Sequence, residues 1–436
     1  MPAQGRYCRN AFIVFSLFEY LIALLVSGAF LAAILKQVGV SDAVTGVVSS
    51  IISLSCVSQL FSGMLIKPGR SVRRTVVTLV AVNQLMFSSL YLIPFIPISQ
   101  GVRTALFVFM ILGAYFLENL AHPVKYDWFM GFVDPGERGR FTARKEIISL
   151  IGGMLFTFAM GRMVDHFNEI GRERTGFLLC GVTIAVIAVL CFALIRSVDE
   201  APQSREKSVS FGQQVRTIGS LITSNHVFRK LLLVDIIWKS AIYISTPYFG
   251  TYLIGELGFS LTAVSLIGIV SGVSRALISP VCGRYADRQG FAKALASGFM
   301  LAAAGFLICS LTQPGSTRML YVAYAILNAI AYASINGGLV NITYEYIDKE
   351  LFAYALGAKS AVSGVVGFLV SLLGSAVVRS VQARSSMIRG HTVYAQQILS
   401  MVAFLLMAAL ILYVRFVVFK LPRIDTSQAE EEQFRQ

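Results

Sequence analysis

The sequence predicts an all-α membrane protein in which twelve transmembrane helices form two pseudo-symmetric six-helix bundles. Three observations carry the prediction: an oily composition, twelve apolar runs long enough to cross a bilayer, and an internal repeat relating the first six runs to the last six.

Of 436 residues, 56% are hydrophobic and 14% charged, with mean hydropathy +0.71. A soluble domain of this size holds about 45–50% apolar residues, so the solvent this chain is built for is lipid. The net charge of +14 is not a nucleic-acid footprint, because the basic residues sit in short loops between apolar runs rather than on one face. Cys8, Cys56, Cys180, Cys191, Cys282 and Cys309 lack metal-type spacing and read as small buried hydrophobes. Arg6 and Arg9 precede an apolar run that continues to residue 35, too long for a cleaved signal peptide.

About 20 mostly apolar residues cross a hydrocarbon core about 30 Å thick. Such runs cover residues 11–35, 43–66, 75–97, 103–131, 143–165 and 176–196, then 229–254, 262–283, 293–312, 318–346, 354–380 and 393–419. Lipid offers no partner to backbone N–H and C=O groups, so runs of this length are helices. The resulting organisation is a six-helix bundle over 1–196, a cytoplasmic linker over 197–228, a second bundle over 229–420 and a cytoplasmic tail over 421–436. The linker is marked by Pro202, Ser204, Arg205, Glu206, Lys207 and Ser208, and the tail by the acidic run from Glu430 to Glu432. Loops on one side hold Lys67, Arg70, Arg73, Arg74, Arg138, Arg140, Arg144, Lys145, Arg284, Arg288 and Lys293. That excess of basic residues places both termini in the cytoplasm.

The repeat shows at two places. Leu35-Lys36-Gln37-Val38-Gly39-Val40-Ser41 aligns with Ile254-Gly255-Glu256-Leu257-Gly258-Phe259-Ser260, an offset of 219. The stretch from Lys145 to Gly153 aligns with that from Lys359 to Gly367, an offset of 214. Equivalent places in two six-span halves point to parallel repeats about an axis along the membrane normal.

After the eighth run comes Gly283-Arg284-Tyr285-Ala286-Asp287-Arg288-Gln289-Gly290. With six plus six spans, a central loop and both termini inside, this G-x-x-x-D-R-x-G loop resembles that of the major facilitator superfamily. The first-half copy, Gly63-Met64-Leu65-Ile66-Lys67-Pro68-Gly69-Arg70, has lysine in place of the acid. The resemblance implies a gate motif of Gly283, Asp287, Arg288 and Gly290 bracing the cytoplasmic side of one conformational state, with Arg144 and Lys145 as partners across the halves. The alternative for Arg284, Arg288 and Lys293 is simple anchoring of the loop.

Ionised side chains near the bilayer centre cost at least about 2.5–3.5 kcal/mol on insertion scales, so they face a cavity, a partner or a substrate. Glu19 lies in the first run; Glu118, Asn119, His122 and Lys125 in the fourth; Asp235, Trp238 and Lys239 in the seventh; Asn328, Tyr332 and Asn336 in the tenth. Glu118, His122 and Lys125 share one helical face. The resemblance implies that spans one, four, seven and ten line a central cavity. The offset of 214 carries Glu118 onto Tyr332 and His122 onto Asn336, so the two polar stripes are equivalent; the offset of 219 carries Glu19 to one position from Lys239, so acid and base are expected to face each other. Bland alternatives stay open: Asp235 and Lys239 neutralising each other, Lys125 and Asp127 snorkelling to water, and His122 satisfying a carbonyl freed by Pro123.

The expected function is secondary active transport of a small organic solute by alternating access, without cofactors or metals. No G-x-x-x-x-G-K-[ST] occurs, so the energy comes from a gradient. Glu19 and Glu118 point to proton coupling, and the amides, tyrosines and charges to uptake of a polar solute, sugar-like or zwitterionic. Span five lacks the proline-containing glycine motif usual in drug–proton antiporters of the superfamily, which leaves efflux as the alternative; a non-transporting receptor or scaffold is the alternative of another class. The expected partners are the lipid bilayer of a bacterial inner membrane, a small-molecule substrate and protons, with no nucleic acid, in a monomer.

Overall fold

The computed structural model describes residues 3–65, 71–133, 138–199, 211–315, 317–347, 351–383, 387–388 and 391–421. The first rod is α1 (Ala3–Leu25), continued after a break at residues 26–27 by α2 (Gly28–Val38). The second is α3 (Asp42–Ser49), α4 (Ile51–Ser55) and a tighter 3-10 segment, Cys56–Leu65. Then come α5 (Val72–Ser89), α6 (Gln100–Met130), α7 (Arg138–Glu169) and α8 (Glu173–Ser197). The linker carries a helix of its own, α9 (Phe211–Ser224). The seventh rod is α10 (His226–Tyr243), a 3-10 turn at Thr246–Tyr248, α11 (Phe249–Thr251) and a π turn at Tyr252–Glu256. The last five are α12 (Leu261–Gln289), α13 (Phe291–Cys309), α14 (Leu320–Tyr346), α15 (Phe352–Ala383) and α16 (Ala395–Phe416). Between α15 and α16, β1 (Met387–Ile388) and β2 (His391–Thr392) form an antiparallel pair.

Local chemistry sets these boundaries. Ser71, Asn225 and Ser260 cap α5, α10 and α12 by accepting backbone N–H groups of Arg74, Phe228 and Ala263. Pro247 has no N–H to donate to the carbonyl four residues back, and the seventh rod breaks there. The third run ends at Ser89 rather than residue 97, because Pro94 and Pro97 turn the chain. Gly290 joins α12 to α13 at φ +88°, where a side chain would be strained. Ten described helices are long and apolar enough to cross a membrane; α5, with Arg73 and Arg74, and the broken seventh rod complete twelve passes. Val182, Val186 and Val189 form an exposed stripe on α8, and Val270, Val273 and Leu277 one on α12. In a chain this apolar, such stripes are lipid-facing surface.

The buried apolar residues divide into two cores. One runs from Cys8 to Val198 and takes in Leu261; the other runs from Leu221 to Leu421 and takes in Ala43. The halves meet where α15 packs on the second rod and α7 on α12. Polar contacts pin the first seam: Ser50 Oγ lies 2.6 Å from Ser371 Oγ, and Ser53 donates to the Gly364 carbonyl at 3.0 Å.

Toward the end opposite the termini, the halves are sealed. Asp165 accepts from Leu261 N at 3.1 Å, Thr262 N at 2.7 Å and Thr262 Oγ1 at 2.5 Å, so an α7 carboxylate caps α12 across the interface. Gln382 donates to Asp42 at 2.7 Å. The Tyr248 ring occupies the space a Cβ at Gly46 would need, and its hydroxyl donates to the Ser371 carbonyl.

Candidate transport cavity

A cavity of about 200 Å³ lies among α1, α6 and α7, lined by residues that include Glu19, Tyr20, Glu118, His122, Lys125 and Lys145. Helical spacing explains the assembly: Glu118, His122 and Lys125 project from successive turns of one α6 face, and Ser16, Glu19, Tyr20 and Ala23 from one face of α1. His122, Tyr20 and Tyr126 are exposed while lining it, so the cavity is open; the seals above close its other end.

Within the cavity, Lys125 Nζ contacts both carboxylate oxygens of Glu19, at 2.5 and 2.6 Å. The pair is nearly enclosed, with the Lys125 side chain 6% and that of Glu19 20% exposed. Phe15 lies under the same ammonium at 5.3 Å. Lys125 therefore does not snorkel, and the Glu19 partner is Lys125 rather than the expected Lys239, because α1 and α6 pack within one half. Glu118 lines the same wall and makes no hydrogen bond or ion pair among the described residues. It also borders a small void of about 10 Å³, one water's worth, lined as well by the buried amide of Gln84. His122 stacks on Tyr126 at 6.4 Å and makes no carbonyl bond among the described residues, so it does not repair the break at Pro123. Lys145 lies over the rings of Phe12 and Tyr126, at 5.3 and 5.9 Å.

Several expected residues stand elsewhere. Asn119 is consumed in helix packing: it donates to Ser55 Oγ at 2.9 Å and the Tyr115 carbonyl at 3.0 Å, and accepts from Gln59 at 2.8 Å. Asp235 does not pair with Lys239. Its Oδ2 lies 2.8 Å from Lys359 Nζ on α15, in an ion pair. Lys359 also donates to the Leu339 carbonyl and Thr343 Oγ1, at 3.1 and 2.9 Å. Released from Asp235, Lys239 lies over the Tyr243 ring at 5.5 Å. Trp238 is core, packed against Phe299 and Tyr332 with ring centroids 5.5 Å away in each case. Asn328 accepts nothing at its buried Oδ1 among the described residues and donates to Tyr324 OH at 3.3 Å, whereas Asn336 is exposed and Tyr332 half-buried.

The gate motif is apart. Gly283 is exposed and a Cβ there would meet open space, so it brings no helices together in this state. Arg144 and Arg288 are exposed, Lys145 is turned onto Phe12 and Tyr126, and Gly290 serves as the α12–α13 joint. The side chains of Asp287 and Asp127 lie outside the described residues.

Sequence reading missed Arg275, at the midpoint of α12. It is half-buried, and its side chain makes no hydrogen bond or ion pair among the described residues. The criterion that singled out Glu19, a charge inside an apolar run, would have found it.

The fold is that of known transporters. A nucleoside transporter NupG mutant superposes with TM-score 0.74 at 12% identity, covering 94% of this chain and 99% of that one. A D-xylose-proton symporter gives 0.65 at 13% identity, over 93% and 96%. A bacterial homolog to human lysosomal transporter Spinster, in an inward-facing and occupied conformation, gives 0.67 at 12%, over 97% and 98%. Among curated protein sequences none matches significantly. The family model "Major Facilitator Superfamily" matches residues 12–377 and again 240–433. With that match spanning nearly the whole chain, and two six-rod halves packed together, the chain belongs to the major facilitator superfamily of secondary transporters.

Proposed function

We propose that the protein is a proton-coupled carrier that takes up a polar organic solute across the cytoplasmic membrane by alternating access, with both termini inside. The observation that carries this reading is Glu118: a carboxyl on the cavity wall with no ion-pair partner among the described residues, beside a Glu19 already neutralised by Lys125. A carboxyl whose surroundings differ between two states binds a proton in one and releases it in the other. Glu19, held by both oxygens, has a poorer claim, because protonating it would strand the Lys125 charge in a nearly enclosed site. The halves rock about the cavity; with the far end sealed, the cavity faces the cytoplasm.

The test is uptake into proteoliposomes under an imposed pH gradient. Glu118→Gln should abolish gradient-driven accumulation yet leave exchange of solute down its own gradient. Accumulation at the native level in Glu118→Gln would remove the proton role, and the absence of any solute flux with the native protein would remove the carrier.

A further inference from the structure

Going beyond that carrier function, we infer that a sodium ion binds in the small chamber beside the cavity, held by the Glu118 carboxylate and the side-chain carbonyl oxygens of Gln84 and Asn83. The chamber is the void of about 10 Å³ among α1, α5 and α6. Glu19, Ala23 and Glu118 border both the chamber and the main cavity, so they form the wall between the two, and an ion reaches the chamber from the cavity. Behind that wall stand the buried apolar side chains of Ile22 and Phe87 and two consecutive amides of α5, Asn83 and Gln84.

The polar atoms available to the chamber are oxygens. Gln84 is 2% exposed, and its Oε1 accepts no hydrogen bond among the described residues. A buried amide oxygen left without a partner is costly, so it calls for an occupant of the chamber. Asn83, also buried, donates its Nδ2 to the Ala114 carbonyl at 3.1 Å, which leaves its own oxygen as the free end. Of the two carboxylates in the lining, Glu19 is neutralised by Lys125. Glu118 is in no ion pair or hydrogen bond among the described residues, so with no proton on it the chamber borders one uncompensated negative charge.

Size and chemistry narrow the occupant. About 10 Å³ admits one particle the size of a water molecule. Water has two protons to donate, fewer than the acceptors gathered here, since an ionised carboxylate offers two oxygens and each amide adds one. A cation meets all of them at once. One uncompensated carboxylate balances a single positive charge. Magnesium keeps several of its waters and calcium takes about 6–8 oxygen ligands, and a chamber of this size holds neither arrangement. A small, hard, monovalent cation is what remains. Its ligands come from α5 and α6, both in the first half, so binding ties those two helices together and stabilises that half.

The experiment measures melting of the full chain in lipid nanodiscs at fixed pH and ionic strength, as choline chloride is exchanged for sodium chloride, with potassium chloride as the size control. A ligand that prefers the folded state raises the melting temperature. The expected result is a saturable rise with sodium that potassium and choline do not produce. Gln84→Met keeps the length of the side chain and loses its oxygen, and it should raise the half-saturating sodium concentration at least about tenfold, the effect of one lost charge-assisted contact. Glu118→Gln should abolish the response and Glu118→Asp should retain part of it, separating a lost ligand from a lost fold. No shift with sodium in the native protein, an equal shift with potassium, or an undiminished response in both Gln84→Met and Glu118→Gln would each overturn the inference. Native protein that accumulates solute on a pH gradient through Glu118 without any sodium response would sink the cation site alone, whereas a sodium response without pH-driven accumulation would sink proton coupling alone.

Discussion

Asp165 offers a way to measure how strongly the sealed end is held. Its carboxylate takes two backbone N–H groups from the first turn of α12 and the Thr262 hydroxyl, across the seam between halves. Hydrogen bonds to a charged acceptor contribute about 1.5–3 kcal/mol, and a negative charge at a helix start adds about 0.3–1 kcal/mol. Asp165 is half-buried, so solvent screening reduces the total, and Asp165→Asn, which keeps one acceptor oxygen and loses the charge, should cost about 2 kcal/mol. If the contact exists only while this end is sealed, the whole amount falls on the equilibrium between states. That is roughly a 30-fold shift, at about 1.4 kcal/mol per tenfold. Thr262→Val removes the hydroxyl bond alone and should shift the equilibrium roughly fivefold, at about 1 kcal/mol. Spin labels on Glu169→Cys and Gln313→Cys, with the native cysteines replaced, report the separation by double electron–electron resonance. Both variants should populate a longer distance in that order of size. A distribution that moves less than twofold in Asp165→Asn would show that the carboxylate does not clamp the halves.

Other perturbations test the remaining contacts. Lys125→Met strands Glu19 and should lower stability by about 3–5 kcal/mol, with most of it recovered in the Glu19→Gln/Lys125→Met double variant; a double variant no more stable than Lys125→Met, by thermal melting, would contradict this. Gly46→Ala drives a methyl into the Tyr248 ring, so overpacking of about 1–3 kcal/mol should open the sealed end; the same spin-label pair reads it, and an added Tyr248→Leu should reverse it.

The twelve passes and the charged cavity were legible because bilayer thickness and the cost of buried charge write themselves into linear sequence. Partner identity was not. Asp235 and Lys239 stand four residues apart, the spacing at which helical neighbours meet, yet Asp235 is taken by Lys359, which reaches it from α15. Glu118 and Asn119 differ by one position on α6; only the packing of the second rod tells that Asn119 is spent on Ser55 and Gln59 while Glu118 is left to the cavity. The repeat aligns Lys145 with Lys359, but one lies over aromatic rings at the cavity mouth and the other is buried in an ion pair. A repeat preserves the path of the backbone, and each half then uses the same position differently.

The distribution of charge partners has a mechanical consequence. Glu19–Lys125 joins α1 to α6, both in the first half, and Asp235–Lys359 joins α10 to α15, both in the second. Breaking a buried ion pair costs about 3–5 kcal/mol, comparable to the whole free-energy difference between two working states of a carrier. Pairs made within one rigid body survive when the bodies rock, so they add nothing to the barrier. Among the described residues Glu118 has no such partner and lines the cavity instead. Charges that must not move are thus neutralised locally, and a carboxyl left without a partner is the one that a proton can compensate.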